Sequence, residues 1–335
     1  MLDAAPPQIV VVGSANVDMV VQVRDLPRPG ETVLARSYHD FPGGKGANQA
    51  MAAARLGRAV SFVGRTGADD GADLVRGALA AEGVDVSELR SIEGEATGRA
   101  IVLVDADAEN SIVVVAGANA ALVAEHVHAA ENAITQARVV VAQLEVPVDV
   151  VRAAAELTRG LFVLNPAPAR RLDDELMALV DVLVVNEGEF EVLAGQSVTP
   201  DPAALPSIVR AAALPAAVVV TLGGEGALVC LGDEVTAVPA PAVDVVDTTG
   251  AGDTFVGALA DALARDEPLV DAVQWAVCAA SLSTGALGAT TGMPRRHQVE
   301  SLLAAQPTQA SSQASTQASN QAPSPAPIPR EAPMS

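Results

Sequence analysis

Asp247-Thr248-Thr249-Gly250-Ala251-Gly252-Asp253 is the stretch on which the chemistry of this chain turns. An apolar, strand-like run, Ala240 to Val246, leads into it. Beyond it Phe255, Val256, Leu259, Ala262 and Leu263 recur at the i, i+3, i+4 spacing of a helix with one buried face. Small residues at Gly250, Ala251 and Gly252 let the backbone turn tightly and leave successive N–H groups uncovered. At a helix N-terminus those donors and the positive end of the helix dipole make an anion site. A carboxylate beside such a nest is electrostatically unhelpful unless it has a task. Asp253 fits a general base that takes a proton from a hydroxyl attacking the bound anion. The competing explanation is a glycine turn with Asp253 as an N-cap.

Working outward, apolar runs and glycine or polar turns alternate along the chain. Ile9 to Val12 is a short buried strand ending at Gly13, but the G-x-G-x-x-G of a dinucleotide site does not follow it. Instead Val17 to Val23 and residues 32–39 favour strands, and Gly43-Gly44-Lys45-Gly46-Ala47-Asn48-Gln49-Ala50 opens an alanine-rich helix to about Leu56. A strand at 60–63 and a helix at 70–82 come next. Residues 99–104 and 111–115 read as a hairpin that, with 17–39, forms a small separate sheet. From a helix near 121–135 onward, strands at 138–142, 161–164, 181–185 and 217–222 alternate with helices at 148–158, 172–179 and 187–194. The last helices fall near 254–265, 269–285 and 295–304. Runs such as Val218-Val219-Val220 suit strands buried on both faces of a parallel sheet. After Gln306, Gln-Ala-Ser near-repeats and then proline-rich sequence cannot bury enough to offset their ordering entropy. Residues 305–335 are therefore expected to be a disordered tail.

With 335 residues, half of them apolar, the chain can bury a large core, built mainly from Ala and Val because only 2% of residues are aromatic. A formal charge of −21 argues against nucleic acid and anionic membranes as partners. It also requires any phosphate site to gather positive potential locally, from lysine, helix N-termini or metal. Cys230 and Cys278 lack metal-ligand spacing and read as buried thiols of a reducing compartment. The N-terminus lacks the basic and apolar regions of a signal peptide, and no uncharged apolar run reaches the roughly 18–20 residues that span a bilayer. The expectation is a cytosolic protein.

Several strand ends carry chemistry. Asn16 and Asp18, two apart on an extended segment after the first strand, project to one side where open α/β sheets bind ligands. Gly43 to Asn48 fails the P-loop pattern, since Ala47 stands where Ser or Thr is required. Lys45 and Asn48 can still bind oxygens of a polar ligand. Glu145 ends a strand, where a carboxylate suits sugar hydroxyls. Asn186 and Glu189 spell a capping box, yet the same oxygens can hold the hydration shell of Mg²⁺. Thr221, Gly223 and Gly226 make a glycine turn that admits a nucleotide phosphate or simply closes a hairpin.

The order of these motifs resembles the ribokinase-like carbohydrate and nucleoside kinase (PfkB) family over about residues 8–304. It rests on Gly13-Ser-Ala-Asn-Val-Asp18, Pro29-Gly30-Glu31-Thr32, the 43–50 and 247–253 stretches, and Asn165-Pro-Ala-Pro-Ala-Arg170, which leans toward the ribose-phosphorylating branch. The resemblance implies a three-layer α/β/α kinase domain at 1–304 with a mostly parallel central sheet. A β-sheet lid from about 17–39 and 99–115 would double as a homodimer contact. It implies ATP-dependent phosphorylation of D-ribose to ribose 5-phosphate, with fructokinase, nucleoside kinase or other pentose kinase activity, or an idle sugar-binding protein, as alternatives. Asn16, Asp18, Gly44, Lys45, Asn48 and Glu145 would hold the sugar. Asp253 would be the base and Gly250, Ala251 and Gly252 the anion hole. Asn186, Thr221, Gly223 and Gly226 would bind the nucleotide, and Glu189 would hold Mg²⁺ through water. Such proteins bind K⁺ through residues matching Asp247, Thr249, Ser283, Ala286 and Gly288. Gly292, however, stands where a serine ligand is common.

Overall fold

A computed structural model describes residues 7–106, 110–198 and 201–306. The chain runs through β1 (Ile9–Val12), β2 (Asn16–Gln22), β3 (Ser37–Gly43), α1 (Lys45–Arg55), β4 (Val60–Thr66) and α2 (Asp70–Ala81). Then come β5 (Leu89–Ser91), β6 (Gly98–Val104), β7 (Asn110–Val115), α3 (Ala124–Ala129) and α4 (Glu131–Gln136). Next are β8 (Val139–Gln143), α5 (Val148–Leu157), β9 (Leu161–Asn165), α6 (Asp174–Met177), β10 (Val182–Asn186), α7 (Glu187–Ala194) and α8 (Leu205–Ala211). The chain closes with β11 (Ala217–Thr221), β12 (Ala227–Leu231), β13 (Glu234–Val238), α9 (Ala251–Leu263), α10 (Leu269–Ser283) and α11 (Arg296–Ala305).

A nine-stranded sheet in the order β13-β12-β11-β10-β9-β8-β1-β4-β5 is parallel except for its last two strands, β12 and β13. Its strands alternate between two apolar cores, as a pleat of period two requires. Ile9, Val11, Val139, Val141 and Val219 pack with α1, α9 and α10. Val10, Val12, Val140, Val218 and Val220 pack with α3, α5 and α7. Fully apolar β1 is thus the pattern of a strand covered on both faces. At the expected 25 cal/mol per Å² of apolar surface, each such valine contributes about 1.5–3 kcal/mol. The architecture is the α/β/α sandwich with a small separate sheet that the motif order implied.

In that second sheet, of order β3-β2-β6-β7, β2 and β3 come from the β1–α1 connection and β6 and β7 from the β5–α3 connection. β2 pairs antiparallel to β3 and parallel to β6, and β6 with β7 forms the expected hairpin. One detail differs from the sequence expectation: residues 32–36 are irregular and β3 begins at Ser37, after a turn-rich segment containing Pro27, Pro29 and Gly30.

Other differences have local causes. Ala240 to Val246 is not a strand, because the sheet ends at β13, and Pro239 and Pro241 cannot donate to a ladder. The helix expected near 121–135 is broken at Ala130 into α3 and α4. The one expected at 172–179 shrinks to α6, whose start is fixed by Asp173 accepting from Leu176 N at 2.9 Å. The β12–β13 hairpin was not anticipated. Of the tail expected at 305–335, Ala305 still belongs to α11 and residues 307–335 lie outside the described residues; no helix among the described ones is long and apolar enough to cross a membrane.

α1 and α9 cross at unusually close range. A Cβ on Gly257 would stand 2.5 Å from Gln49 O and 2.6 Å from the Ala52 Cβ, so only glycine permits the approach. Gly257 lies one turn after Asp253, and the crossing brings the start of α1 against the start of α9.

Candidate active site

The parallel strands all end on one edge of the sheet, and the residues of interest gather there, as the topology of open α/β sheets dictates. α9 begins at Ala251 after Gly250, which adopts the left-handed conformation (φ 75°), where a side chain would also strike Ala289 O at 2.4 Å. Thr254 N makes the first helical bond, to Gly250 O at 2.8 Å. The N–H groups of Gly252 and Asp253 precede it and have no intrahelical acceptor. Ala251 N is instead turned to Thr248 O at 3.1 Å, so of the expected anion-hole donors it is the one already engaged.

Asp253 is 8% exposed, at the third position of α9, and does not cap the helix. Its Oδ2 accepts from Asn48 Nδ2 at 2.9 Å and its Oδ1 from Gln49 Nε2 at 3.1 Å. Asn48 Oδ1 is buried and has no partner among the described residues, which leaves an acceptor for a substrate hydroxyl. Gln49 extends the contact inward. Its Nε2 also donates to Asn165 Oδ1 at 3.2 Å, and its Oε1 accepts from Gln143 Nε2 at 2.6 Å.

On the opposite side, Glu145 Oε2 accepts from Ser14 Oγ at 2.5 Å and from Lys45 N at 3.1 Å, placing a carboxylate at the N-terminus of α1 where the helix dipole favours it. Asn16 is 2% exposed, and its Oδ1 accepts from Asn119 Nδ2 at 2.7 Å. The Asn16 amide is therefore left to donate to a ligand. Asp18, carried on β2, feels the same cluster. Burial first, then the negative fields of Glu145 and Asp253, push its carboxyl up to about 7. Lys45 is the compensating charge: burial lowers its pKa, but Asp253, Glu145 and Glu189 outweigh that and raise it. Asn16, Asp18, Gly44, Lys45, Asn48, Glu145 and Asp253 thus come together between the small sheet and the large one.

A cleft of about 380 Å³ adjoins the start of α9. Thr221, Gly223 and Gly226 line one side and Ala251 and Gly252 the end. The irregular segment containing Ala240, Val243 and Val245 lines the other side, so its apolar residues face a ligand-sized space rather than a sheet neighbour. Gly223 to Gly226 also close the β11–β12 hairpin, so the same turn that bounds the cleft joins two antiparallel strands. Asn186 stands beside Thr221 in strand register. The capping box is formed in full, with Asn186 N donating to Glu189 Oε2 at 2.9 Å and Glu189 N to Asn186 Oδ1 at 2.7 Å. Asn186 is exposed and Glu189 half-buried, and the negative field of Glu189 reaches Lys45, so their free lone pairs remain available to a hydrated cation.

Asp247 ties two loops together. Oδ1 accepts from Thr249 N and Oγ1 at 2.9 and 2.7 Å, and Oδ2 from Gly288 N at 2.8 Å. Burial alone would raise its pKa, but these donors hold it below the usual carboxylate range. Gly292 packs directly on the Ser283 carbonyl: a Cβ there would lie 2.0 Å from Ser283 O, so a serine does not fit this backbone. A cation between these loops, as expected at Asp247, Thr249, Ser283, Ala286 and Gly288, would be held by a carboxylate, a hydroxyl and carbonyls, a donor set of hard oxygens suited to K⁺.

Asn119, Gln49, Gln143 and Ser14 were given no role from sequence. Gln49 lies within the 43–50 motif, and its position one residue beyond Asn48 is the available signal. Asn119 sits far along the chain, in a Gly-Ala-Asn turn that nothing local distinguishes.

Residues 6–296 match the model of the pfkB family carbohydrate kinases. A ribokinase of Haemophilus influenzae is 37% identical over 303 residues, covering 88% of this chain and 98% of the relative. A deoxyribokinase of Salmonella typhi is 34% identical over 306 residues, covering 88% and 98%. The structure of Arabidopsis thaliana ribokinase complexed with ribose and ATP superposes with a TM-score of 0.83 at 35% identity, covering 90% of this chain and 99% of that one.

Proposed function

From the premise that this chain belongs to the pfkB family of carbohydrate kinases, we propose that it transfers the γ-phosphoryl group of ATP to the primary hydroxyl of D-ribose, giving ribose 5-phosphate and ADP. The observation that carries this reading is Asp253, a buried carboxylate held by two amides beside the unpartnered N–H groups of α9. Asp253 takes the hydroxyl proton as the sugar oxygen bonds to the γ-phosphorus and the bond to the ADP oxygen breaks. The N–H groups of Gly252 and Asp253, the α9 dipole and Lys45 stabilise the charge on the transferring group. Asn16, Asp18, Asn48 and Glu145 match sugar hydroxyls with donors and acceptors, and the nucleotide lies along Thr221, Gly223 and Gly226. Mg²⁺ entering with ATP would be held through water by Asn186 and Glu189 and would neutralise phosphate charge. K⁺ held at the Asp247 loops would add positive potential beside α9.

The small sheet acts as a lid that excludes water when the sugar is bound. Tyr38, Phe41, Ile112 and Val113 are exposed on it at 45–64%, an apolar surface that a second copy would cover, and we read the enzyme as a homodimer through the lid. Free, buried Cys230 and Cys278 suit the cytosol.

The test is an ADP-release assay with ATP and a panel of D-ribose, 2-deoxyribose, fructose and adenosine. Ribose is expected to give the highest kcat/KM and deoxyribose a much lower one, because a site built to bond a hydroxyl leaves buried groups unpaired without it. A higher kcat/KM with any other member would replace the ribose assignment while keeping the kinase chemistry. Asp253→Asn should lower kcat by about 10²–10⁴, and retention of a tenth of wild-type kcat would remove the base role.

A further inference from the structure

We propose that Gln49 is a positioning residue for phosphoryl transfer: it commits Oδ1 of Asp253 to a buried amide relay, so that Oδ2 is the oxygen that takes the proton. The inference rests on the reading of Asp253 as the base. The polarity of the relay follows from its far end. The Val184 carbonyl can only accept, so Asn165 Nδ2 must donate to it, at 3.0 Å. Asn165 Oδ1 then faces Gln49 and can only accept, which fixes Gln49 Nε2 as the donor at 3.2 Å. The second hydrogen on the same nitrogen goes to Asp253 Oδ1 at 3.1 Å. Gln49 Oε1, the remaining acceptor, takes the Gln143 Nε2 bond at 2.6 Å. No amide in this chain can flip without leaving two buried groups unpaired, and Gln49 and Gln143 are both 0% exposed.

Oδ1 of Asp253 is therefore bound on the core side by a donor that the main chain of β10 orients. Oδ2 is bound by Asn48, whose other amide atom is the buried, unpartnered acceptor of the sugar site. A hydroxyl held by Asn48 lies next to Oδ2 and away from Oδ1. Gln49 itself is out of reach of the substrate, so it acts on the rate through the orientation of the carboxylate and leaves sugar affinity alone.

The experiment is a double-mutant cycle on kcat. Gln49→Met keeps the side-chain length and removes the donor. It is expected to lower kcat by about 10- to 100-fold, the usual worth of a hydrogen bond to a charged group, with KM for ribose and ATP within about twofold. In the Asp253→Asn background the same substitution should cost nothing further, because groups acting as one unit are not additive. Equal losses in both backgrounds would overturn the proposal, since they mark an effect on the fold, and so would an unchanged kcat in the single variant. An Asp253→Asn enzyme that keeps most of its activity would instead overturn the base reading, whatever Gln49→Met does. Should Gln49→Met not fold, Gln143→Met decides. One bond further out, it is expected to lower kcat by about 3- to 10-fold in the wild-type background and by nothing in Asp253→Asn. Any other pattern rejects the relay.

Discussion

Asp18→Asn should stabilise the unliganded protein at high pH while weakening its grip on ribose. In the folded chain the Asp18 carboxyl titrates at about 7 against an ordinary value of 3.8, because burial comes first and the fields of Glu145 and Asp253 add to it. A carboxyl whose folded pKa is raised costs nothing below the unfolded value, where both states are protonated. The cost grows between about pH 4 and pH 7, as the unfolded state ionises freely and the folded state does not. Above pH 7 it is complete. A shift of this size corresponds to about 4 kcal/mol at 1.36 kcal/mol per unit; the partial exposure of the carboxyl brings the expected value to on the order of 2–4 kcal/mol. Asparagine carries no such penalty at any pH. Urea unfolding of the two proteins between pH 4.5 and 8.5 should give nearly equal free energies at the acid end and a gap widening in favour of the variant up to about pH 7.5. Wild-type KM for ribose should fall over the same range as Asp18 gains its acceptor charge, and the variant should show a higher KM with this dependence lost. Parallel stability curves for wild type and variant across the whole range would refute the argument.

Three further outcomes are expected. Replacing Na⁺ by K⁺ at matched ionic strength should raise kcat, through the oxygen set around Asp247; equal rates in the two salts would remove the cation from that loop. Asp261→Ala should lower stability by about 3–5 kcal/mol: its 0%-exposed carboxylate binds Arg58 and Arg296 at 2.8 Å and Arg265 at 3.6 Å, three charges that would lose their partner. An unchanged Tm would show that water takes the place of the carboxylate. Removing residues 307–335, which hold almost no large apolar side chain, should leave Tm and kcat unaltered, and a fall in either would reveal docking on the kinase body.

Sequence by itself determined the layered α/β architecture, because a strand such as Ile9 to Val12 that is apolar at every position can only be covered on both faces. It also determined the turn before α9, since Gly250 meets a backbone requirement that is local, and it pointed to Asp253 from the clash between a carboxylate and an anion nest. Residues 240–246 misled, because an apolar run is equally the wall of a cleft, and whether a neighbouring strand exists is decided at the sheet edge. Only the tertiary structure decided the partners of Asp253. The bonds from Asn48 and Gln49 span 205 and 204 residues and exist because Gly257 lets α1 and α9 meet at backbone contact. The same holds for Asn119 on Asn16 and for the carboxylate cluster that lifts Asp18. Hydrogen-bond orientation and desolvation depend on which groups stand within a few ångströms, and that neighbourhood is made by packing between segments far apart in the chain.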